Sequence, residues 1–153
     1  MSVKDDEVFI RRAVEIAAAA REHGNEPFGA LLVRNGEIIL EAENTQITET
    51  DLTGHAETNL VRKGWKEPGP EILAECTLYT STEPCAMCCG AIYWAGIRRV
   101  VFGCPAEKLY EMISGGLHTP AAEIFARGER KVAVTGPVLE EEAFRVHEGY
   151  WKN

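Results

Sequence analysis

The spacing of one histidine, one glutamate and two cysteines is the feature that most restricts how this 153-residue chain can fold. His55 and Glu57 belong to the segment HAE, and 26 residues separate it from PCAMC, which carries Cys85 and Cys88. Imidazole and thiolate groups are ligands that zinc prefers in proteins, and catalytic zinc sites use three protein ligands and keep one position open. The fold therefore has to bring two distant segments of the chain together at one point.

The two cysteines of PCAMC are expected on one face at the start of a helix. Pro84 favours the first turn of a helix, and residues three apart lie on the same helical face. The helix dipole and the free N–H groups of that turn stabilise thiolates. Cys89 is rotated by about 100° from Cys88, so we predict that it is a buried thiol, as are Cys76 and Cys104.

His55 is the best candidate for a third ligand among the four histidines. It is predicted to begin a helix directly after a loop, and the carboxylate of Glu57 follows two residues later. The other histidines are predicted at a helix end, in an irregular loop and in the last helix, at His23, His118 and His147.

This set of groups suits the replacement of an exocyclic amine on an aromatic ring by oxygen. The reaction needs an activated water, a proton for a ring nitrogen and a proton for the departing ammonia. Zinc lowers the pKa of coordinated water toward 7, and a carboxylate such as Glu57 can carry the protons without binding metal. The alternative is a structural zinc knot with Cys89 as fourth ligand, although adjacent cysteines on a regular helix do not easily reach one ion.

The composition favours a small-molecule partner over nucleic acid. The formal net charge is −8, and an acidic surface repels phosphate backbones. No apolar run approaches membrane-spanning length, no signal peptide is recognisable, and five cysteines are an odd number for a disulfide framework. We therefore expect a cytoplasmic protein with no membrane partner.

The pattern of apolar and turn-forming residues predicts one domain over residues 1–153 with an α/β fold. A helix is predicted over residues 5–23, and Asn35-Gly36 predicts a hairpin between two strands. A helix with Thr53 as N-cap and Gly64 as its end follows, then a turn at residues 68–70. Three further strands are predicted at CTLYTS, RRVVFG and KVAVTG, and each is followed by a helix, at PCAMCCGAIYWAG, AEKLYEMI and LEEEAFRVHEGYW, respectively. Segment 114–129 is hard to assign. The hairpin makes the first strand pair antiparallel and the helical crossovers make later pairs parallel, which predicts a three-layer α/β/α sandwich with a mixed five-stranded sheet.

HAE and PCAMC together resemble the signature of the cytidine-deaminase superfamily of zinc hydrolases. The similarity runs from Phe28 to Gly103. Within the superfamily, PFGALLV, EAEN, TEPCAMCCGAIYWA and VVFG look most similar to bacterial guanine deaminases and tRNA adenosine deaminases. The resemblance implies that Zn²⁺ is held by one histidine and two cysteines and that a glutamate shuttles protons, at His55, Cys85, Cys88 and Glu57. It also implies substrate contacts from a side-chain amide, a backbone N–H and two aromatic walls, at Asn44, Ala56, Phe28 and Trp94.

The expected activity is hydrolytic deamination of a free base, with guanine or a related purine, pyrimidine or triazine as substrate. Guanine deaminases of this type use an acidic residue after VVFG, and none of Glu107, Glu111 and Glu123 matches that role by motif. One alternative is editing of adenosine to inosine in tRNA, and another is a zinc-stabilised binding module without catalysis. The resemblance further implies a homodimer or larger assembly, in which the C-terminal segment with His147, Tyr150 and Trp151 covers its neighbour's site. The alternative is a tail packed on its own subunit.

Overall fold

A five-stranded sheet with helices on both faces organises residues 2–151, which are the residues described by this computed structural model. The predicted three-layer α/β/α sandwich with a mixed sheet is confirmed. The elements are α1 (Val3–Glu22), β1 (Gly29–Arg34), β2 (Glu37–Glu43), α2 (Ala56–Lys66), α3 (Pro70–Leu73), β3 (Thr77–Thr82), α4 (Ala86–Trp94), β4 (Arg99–Cys104), α5 (Ala106–Tyr110), α6 (Ala121–Ala126), β5 (Ala133–Thr135) and α7 (Glu140–Arg145).

The sheet has the strand order β2-β1-β3-β4-β5. β1 and β2 form the antiparallel hairpin predicted at Asn35-Gly36, where both residues have positive φ, as a tight two-residue turn requires. β3 lies antiparallel on the other side of β1, whereas β3, β4 and β5 are parallel to each other. The parallel connections run through α4 and through the segment with α5 and α6, as expected for crossovers.

Alternating residues of the strands build a separate core on each face of the sheet. Leu31 and Val33 of β1 pack with Phe9 and Ile16 of α1 on one face. On the other face, strand residues pack with α2, α4 and α6, through side chains such as Leu32, Leu60, Leu78, Ile92 and Phe125. Successive side chains of a strand point to opposite faces of the sheet. Because β1 is buried on both faces, its sequence is continuously apolar and does not alternate with polar residues.

Two predictions for α2 are wrong at its ends. The helix begins after His55 and not after Thr53. The carbonyl oxygen of His55 accepts the Asn59 N–H at 2.8 Å, four residues on, whereas that of Thr53 accepts the His55 N–H at 2.8 Å in a tight turn. Gly64 does not end the helix, which continues to Lys66. A Cβ at Gly64 would lie 2.9 Å from a Leu73 methyl group, so glycine serves close packing at this position.

Other boundaries also differ from the sequence prediction. The turn predicted at residues 68–70 leads directly into the short helix α3. The last helix, α7, ends at Arg145, and the remaining residues up to Tyr150 follow as turns. These turns direct the tail back across the molecule. Within residues 2–151, none of the helices combines the length and apolar character needed to cross a membrane.

Candidate zinc site and active-site pocket

The predicted ligands come together where two helices begin. His55 is the N-cap residue of α2 and Cys85 is the N-cap residue of α4, with Cys88 in the first turn of the same helix. Helices α2 and α4 pack side by side on one face of the sheet. Both helix starts therefore direct their partial positive charge at this point, which favours the ionised form of Cys85.

The distances between these side chains fit a tetrahedral zinc ion. Nδ1 of His55 lies 3.5 Å from Sγ of Cys85 and 3.6 Å from Sγ of Cys88, and the three ligand atoms all lie within 4.8 Å of one another. Bonds of about 2.3 Å to sulfur and about 2.0 Å to nitrogen at tetrahedral angles separate the two ligand atoms by about 3.5 Å. This histidine and two cysteines are therefore placed for zinc binding.

The protonation of the thiols is already shifted in this arrangement. Hydrogen bonding from Cys88 lowers the pKa of Cys85 to about 4, and His55 acts in the same direction. The hydroxyl of Thr58 hydrogen-bonds to Sγ of Cys88 at 3.2 Å. Cys89 is fully buried in the core and lies 3.5 Å from the carbonyl oxygen of Pro84, so it is the packed thiol that the sequence predicted.

Glu57 lies in the first turn of α2 with only 5% of its surface exposed. Burial, followed by the negative charge of Cys85, raises the pKa of Glu57 to about 7. Its own backbone N–H and the Thr80 hydroxyl act in the opposite direction through hydrogen bonds. A buried carboxylate beside a metal-binding group can hold or release a proton near neutral pH, which is what a proton shuttle requires.

A cavity of about 220 Å³ opens next to these groups. Its lining combines the zinc-binding face with aliphatic and aromatic side chains from four other segments, namely Glu26, Phe28, His55, Glu57, Thr82, Glu83, Cys85, Ala106, Leu109, Tyr110, Ile113 and Trp151. Ligand pockets for drug-sized molecules usually measure about 300–1,000 Å³, so this cavity suits one small ring system.

Glu83 connects the cavity to two helices. One of its carboxylate oxygens accepts the backbone N–H of Ala106 at 3.0 Å, and the other accepts the N–H of Ala121 at 2.8 Å. These N–H groups belong to the first residues of α5 and α6 and have no intrahelical partner. The carboxylate therefore caps both helices and holds α5 against the cavity.

The tail closes the cavity of its own chain. The indole N–H of Trp151 donates to Nδ1 of His147 at 3.0 Å, so Nε2 of His147 carries the proton and donates to the Thr82 hydroxyl at 2.9 Å. His147 is fully buried, and burial lowers its pKa to about 4. The ring of Phe28 lies 5.3 Å from His147 and 6.0 Å from Trp151. In this structure the tail thus covers the site of its own chain.

The predicted substrate contacts fall into two groups. Phe28 lines the cavity, and the backbone of Ala56 lies between two lining residues. Asn44 is 1% exposed, its Oδ1 accepts the Gln46 N–H, and its Nδ2 has no hydrogen-bond partner among residues 2–151. The backbone N–H of Asn44 donates to the carbonyl oxygen of Phe28 at 3.1 Å. Because Phe28 lines the cavity, this hydrogen bond places Asn44 beside the cavity wall.

Trp94 belongs to the other group. It is 80% exposed at the end of α4 and lines a different surface groove with Tyr93 and Phe125. The structure therefore does not place Trp94 as an aromatic wall of the chain's own cavity. Trp94 lies in the last turn of α4, whereas the first turn of this helix faces the zinc site, so Trp94 faces away from the site.

Sequence reasoning missed most of the outer lining. Leu109, Tyr110 and Ile113 belong to the segment AEKLYEMI after β4, to which the sequence pattern assigns no role in the site. Glu26 precedes β1 and carried no motif of its own. The three acidic residues considered after VVFG are exposed and outside the cavity, at Glu107, Glu111 and Glu123.

The sequence and the structure were compared with known proteins. Residues 3–104 match the zinc-binding region of cytidine and deoxycytidylate deaminases. The chain is 36% identical over 151 residues to a probable cytosine deaminase of Schizosaccharomyces pombe, covering 95% of this chain and 92% of that protein. It is 44% identical over 118 residues to a guanine deaminase of Bacillus subtilis, covering 76% and 68%, respectively. A solved structure from a study of A-to-I editing by tRNA:A34 deaminases superposes with a TM-score of 0.77 at 30% identity, covering 90% of this chain and 97% of that one.

The mixed sheet and the histidine and two cysteines at two helix starts define a zinc-dependent hydrolytic enzyme of the nucleobase and nucleoside deaminase class. With the sequence match over two thirds of its length, the chain belongs to the cytidine and deoxycytidylate deaminase family.

Proposed function

We propose that the protein, acting as a single domain, hydrolytically deaminates a free aminated heterocyclic base and releases ammonia. Guanine is the first substrate to test, followed by related purines, cytosine, isocytosine and triazines. The observation that carries this proposal is the cavity of about 220 Å³ beside His55 and Glu57, which the tail residue Trp151 closes. Its size suits a base without an attached sugar and strand.

The residues at the cavity account for the steps of such a reaction. When bound by His55, Cys85 and Cys88, zinc supplies the Lewis acidity that activates water near neutral pH. The Glu57 carboxylate takes up a proton of the attacking water and returns protons to a ring nitrogen and to the departing ammonia. One C–N bond is broken and one C–O bond is formed, with no change of redox state.

Three of the predicted contacts can orient the ring, together with Trp151, which takes the place predicted for Trp94. Phe28 and Trp151 offer aromatic surfaces on which a heterocycle can stack. The Nδ2 of Asn44, buried without a partner within residues 2–151, and the first N–H of α2 at Ala56 can donate to acceptor atoms on the ring edge. These roles follow the family resemblance and fit the burial of each group.

Editing of adenosine in tRNA is the second candidate. It is favoured by the 30% identical tRNA deaminase structure, which aligns with 90% of this chain. Against it, the cavity lining within the described residues contains no lysine or arginine, and the formal net charge is −8. Binding of single-stranded RNA uses a positively charged groove with stacking aromatic side chains.

The test is ammonia release from the zinc-loaded protein across free bases, the matching nucleosides and triazines, together with inosine formation in a tRNA anticodon stem-loop. We expect turnover of at least one free base and none of the stem-loop. The Glu57→Gln variant is the control for contaminating activity. Turnover of a nucleoside or of the stem-loop in the absence of any free-base activity would overturn the proposal.

We further propose a cytoplasmic homodimer. Five free cysteines support a reducing compartment, since the described residues contain all of them and no disulfide. Light scattering after size-exclusion chromatography is expected to give twice the subunit mass of 16.9 kDa. A mass of one subunit at micromolar concentration would contradict the dimer without affecting the proposed reaction.

A further inference from the structure

Three carboxylates line the cavity, and they differ in what they bind. The Glu57 carboxylate is buried beside the zinc-binding group and is assigned to proton transfer, and both oxygens of Glu83 accept backbone N–H groups. Glu26 makes no side-chain hydrogen bond or ion pair with any residue in 2–151. It is the carboxylate of this cavity that remains available to a ligand.

The backbone on either side of Glu26 is firmly held. Asn25 is 2% exposed, and its Oδ1 accepts the N–H groups of Ile47 and Thr48 at 3.1 and 3.0 Å. Pro27 is buried, and the N–H of Phe28 donates to the carbonyl oxygen of Glu26 at 2.9 Å. A side chain between two buried anchors is positioned before a ligand arrives, which lowers the entropy that binding has to overcome.

The surroundings of Glu26 do not neutralise its charge. The cavity lining contains no lysine or arginine among the described residues, and its histidine, His55, belongs to the zinc site. Burial raises the pKa of the Glu26 carboxyl group. A partly buried carboxylate without a protein partner costs folding free energy, so an N–H donor on the ligand is the natural partner for it.

A free base differs from its nucleoside at one ring nitrogen. That nitrogen carries a hydrogen in the base and a sugar in the nucleoside, so only the base offers an N–H donor there. We propose that Glu26 is a specificity-determining residue whose carboxylate accepts a hydrogen bond from this ring N–H and thereby selects free bases over nucleosides. The inference rests on the proposed function and names the chemical class of its substrate.

The location of the other acidic residues supports this assignment. The resemblance to guanine deaminases implies an acidic residue after VVFG that holds the base edge, but Glu107, Glu111 and Glu123 are exposed and outside the cavity. Glu107 instead contacts His118 at 2.8 Å on the surface. Glu26, which precedes β1, lines the cavity, and its carboxylate has no protein partner within residues 2–151.

The experiment compares each accepted base with the same base methylated at the nitrogen that carries the sugar in its nucleoside, such as guanine with 9-methylguanine or cytosine with 1-methylcytosine. For Glu26→Ala we expect kcat/KM on the free base to fall about 10- to 100-fold, mainly through KM, the range for a lost hydrogen bond to a charged group. Activity on the methylated base should stay nearly unchanged, so the discrimination between the two collapses.

Glu26→Gln keeps the shape and one acceptor oxygen, and we expect it to retain part of the discrimination. Glu22→Gln, on the exposed end of α1, is the matched control and should match the wild type. Zinc content and far-ultraviolet circular dichroism exclude loss of the metal or of the fold. An equal loss on both substrates, or no loss on either, would overturn the role of Glu26.

A binding measurement separates this inference from the proposed reaction. In the Glu57→Gln background, calorimetry is expected to show that Glu26→Ala weakens binding of the free base far more than binding of the methylated one. If the wild type deaminates no free base, the proposed function fails on its own. If the bases are deaminated but Glu26→Ala changes neither the affinity for the free base nor the discrimination against the methylated base, only this inference fails.

Discussion

The floor and the outer wall of the cavity are built in different ways. The floor consists of His55, Glu57, Cys85 and Cys88, all of which lie within the first turns of two adjacent helices. The outer wall consists of side chains from three separate segments, namely Glu26, Leu109, Tyr110, Ile113 and Trp151. The geometry of the floor, to which we assign the chemistry, follows from local helix structure. The geometry of the wall, to which we assign substrate choice, follows from long-range packing.

The largest effect is expected from removing one of two adjacent cysteines. Cys88→Ala should lose zinc and all turnover, because a site with two protein ligands holds the metal far more weakly. Cys89→Ala should keep one zinc per chain and lose only about 1 kcal/mol of stability through a small cavity. Zinc per chain by inductively coupled plasma mass spectrometry checks both variants. Equal zinc loss from both would indicate a four-ligand knot.

Glu57→Gln tests whether the floor is catalytic or only structural. We expect kcat to fall about 10²- to 10⁴-fold, because the amide cannot carry protons, while zinc content stays at the wild-type level. Ammonia release and metal analysis on the same sample measure the two quantities. Unchanged activity would mean that the zinc site supports binding without catalysis.

Trp151→Ala tests the outer wall. Loss of the aromatic cover is expected to lower kcat/KM about 10- to 100-fold through KM, the range for removing an aromatic side chain that stacks on a base. Zinc content should not change, because Trp151 does not belong to the ligand group. Trp65→Ala is the matched control, since that tryptophan is 50% exposed on α2 outside the cavity. A fall in kcat with unchanged KM would contradict a wall function.

Acidification should destabilise the closed tail through His147. Its pKa is about 4 in the folded protein and about 6.5 when unfolded, so the unfolded chain binds more protons between these values. Stability therefore falls as the pH drops from about 6.5 to about 4, by up to about 3 kcal/mol from this group. Denaturant unfolding at several pH values, with His147→Gln as the comparison, measures the contribution. The same pH dependence in both proteins would exclude His147 as its source.

The smallest effect is expected from Trp94→Ala. Because this side chain lies outside the cavity of its own chain, kcat/KM should change by about twofold or less. Steady-state kinetics on the best free base measures it. A marked rise in KM would show that Trp94 reaches a cavity after all, as it could in a second copy of the chain.

The structure corrected the sequence prediction at both ends of α2. Thr53 is a residue type that favours the N-cap, but its carbonyl oxygen accepts the His55 N–H in a tight turn and its hydroxyl donates to Asp51. Gly64 looks like a helix end, but it lies inside α2 because Leu73 packs against its backbone. In both cases a residue type with a strong local preference serves a neighbour that local patterns do not reveal.

The sequence by itself predicted the class of the fold, the group of His55, Cys85 and Cys88 that the structure places for zinc binding, and the buried state of Cys89. Those results depend on helix periodicity, on the alternation of strand residues and on ligand chemistry, all of which act over a few residues. The tertiary structure alone decided that Trp151 covers the cavity, that Trp94 does not, and that Glu26 lines it. Those positions depend on which distant segments pack together, and local spacing carries no information about that choice.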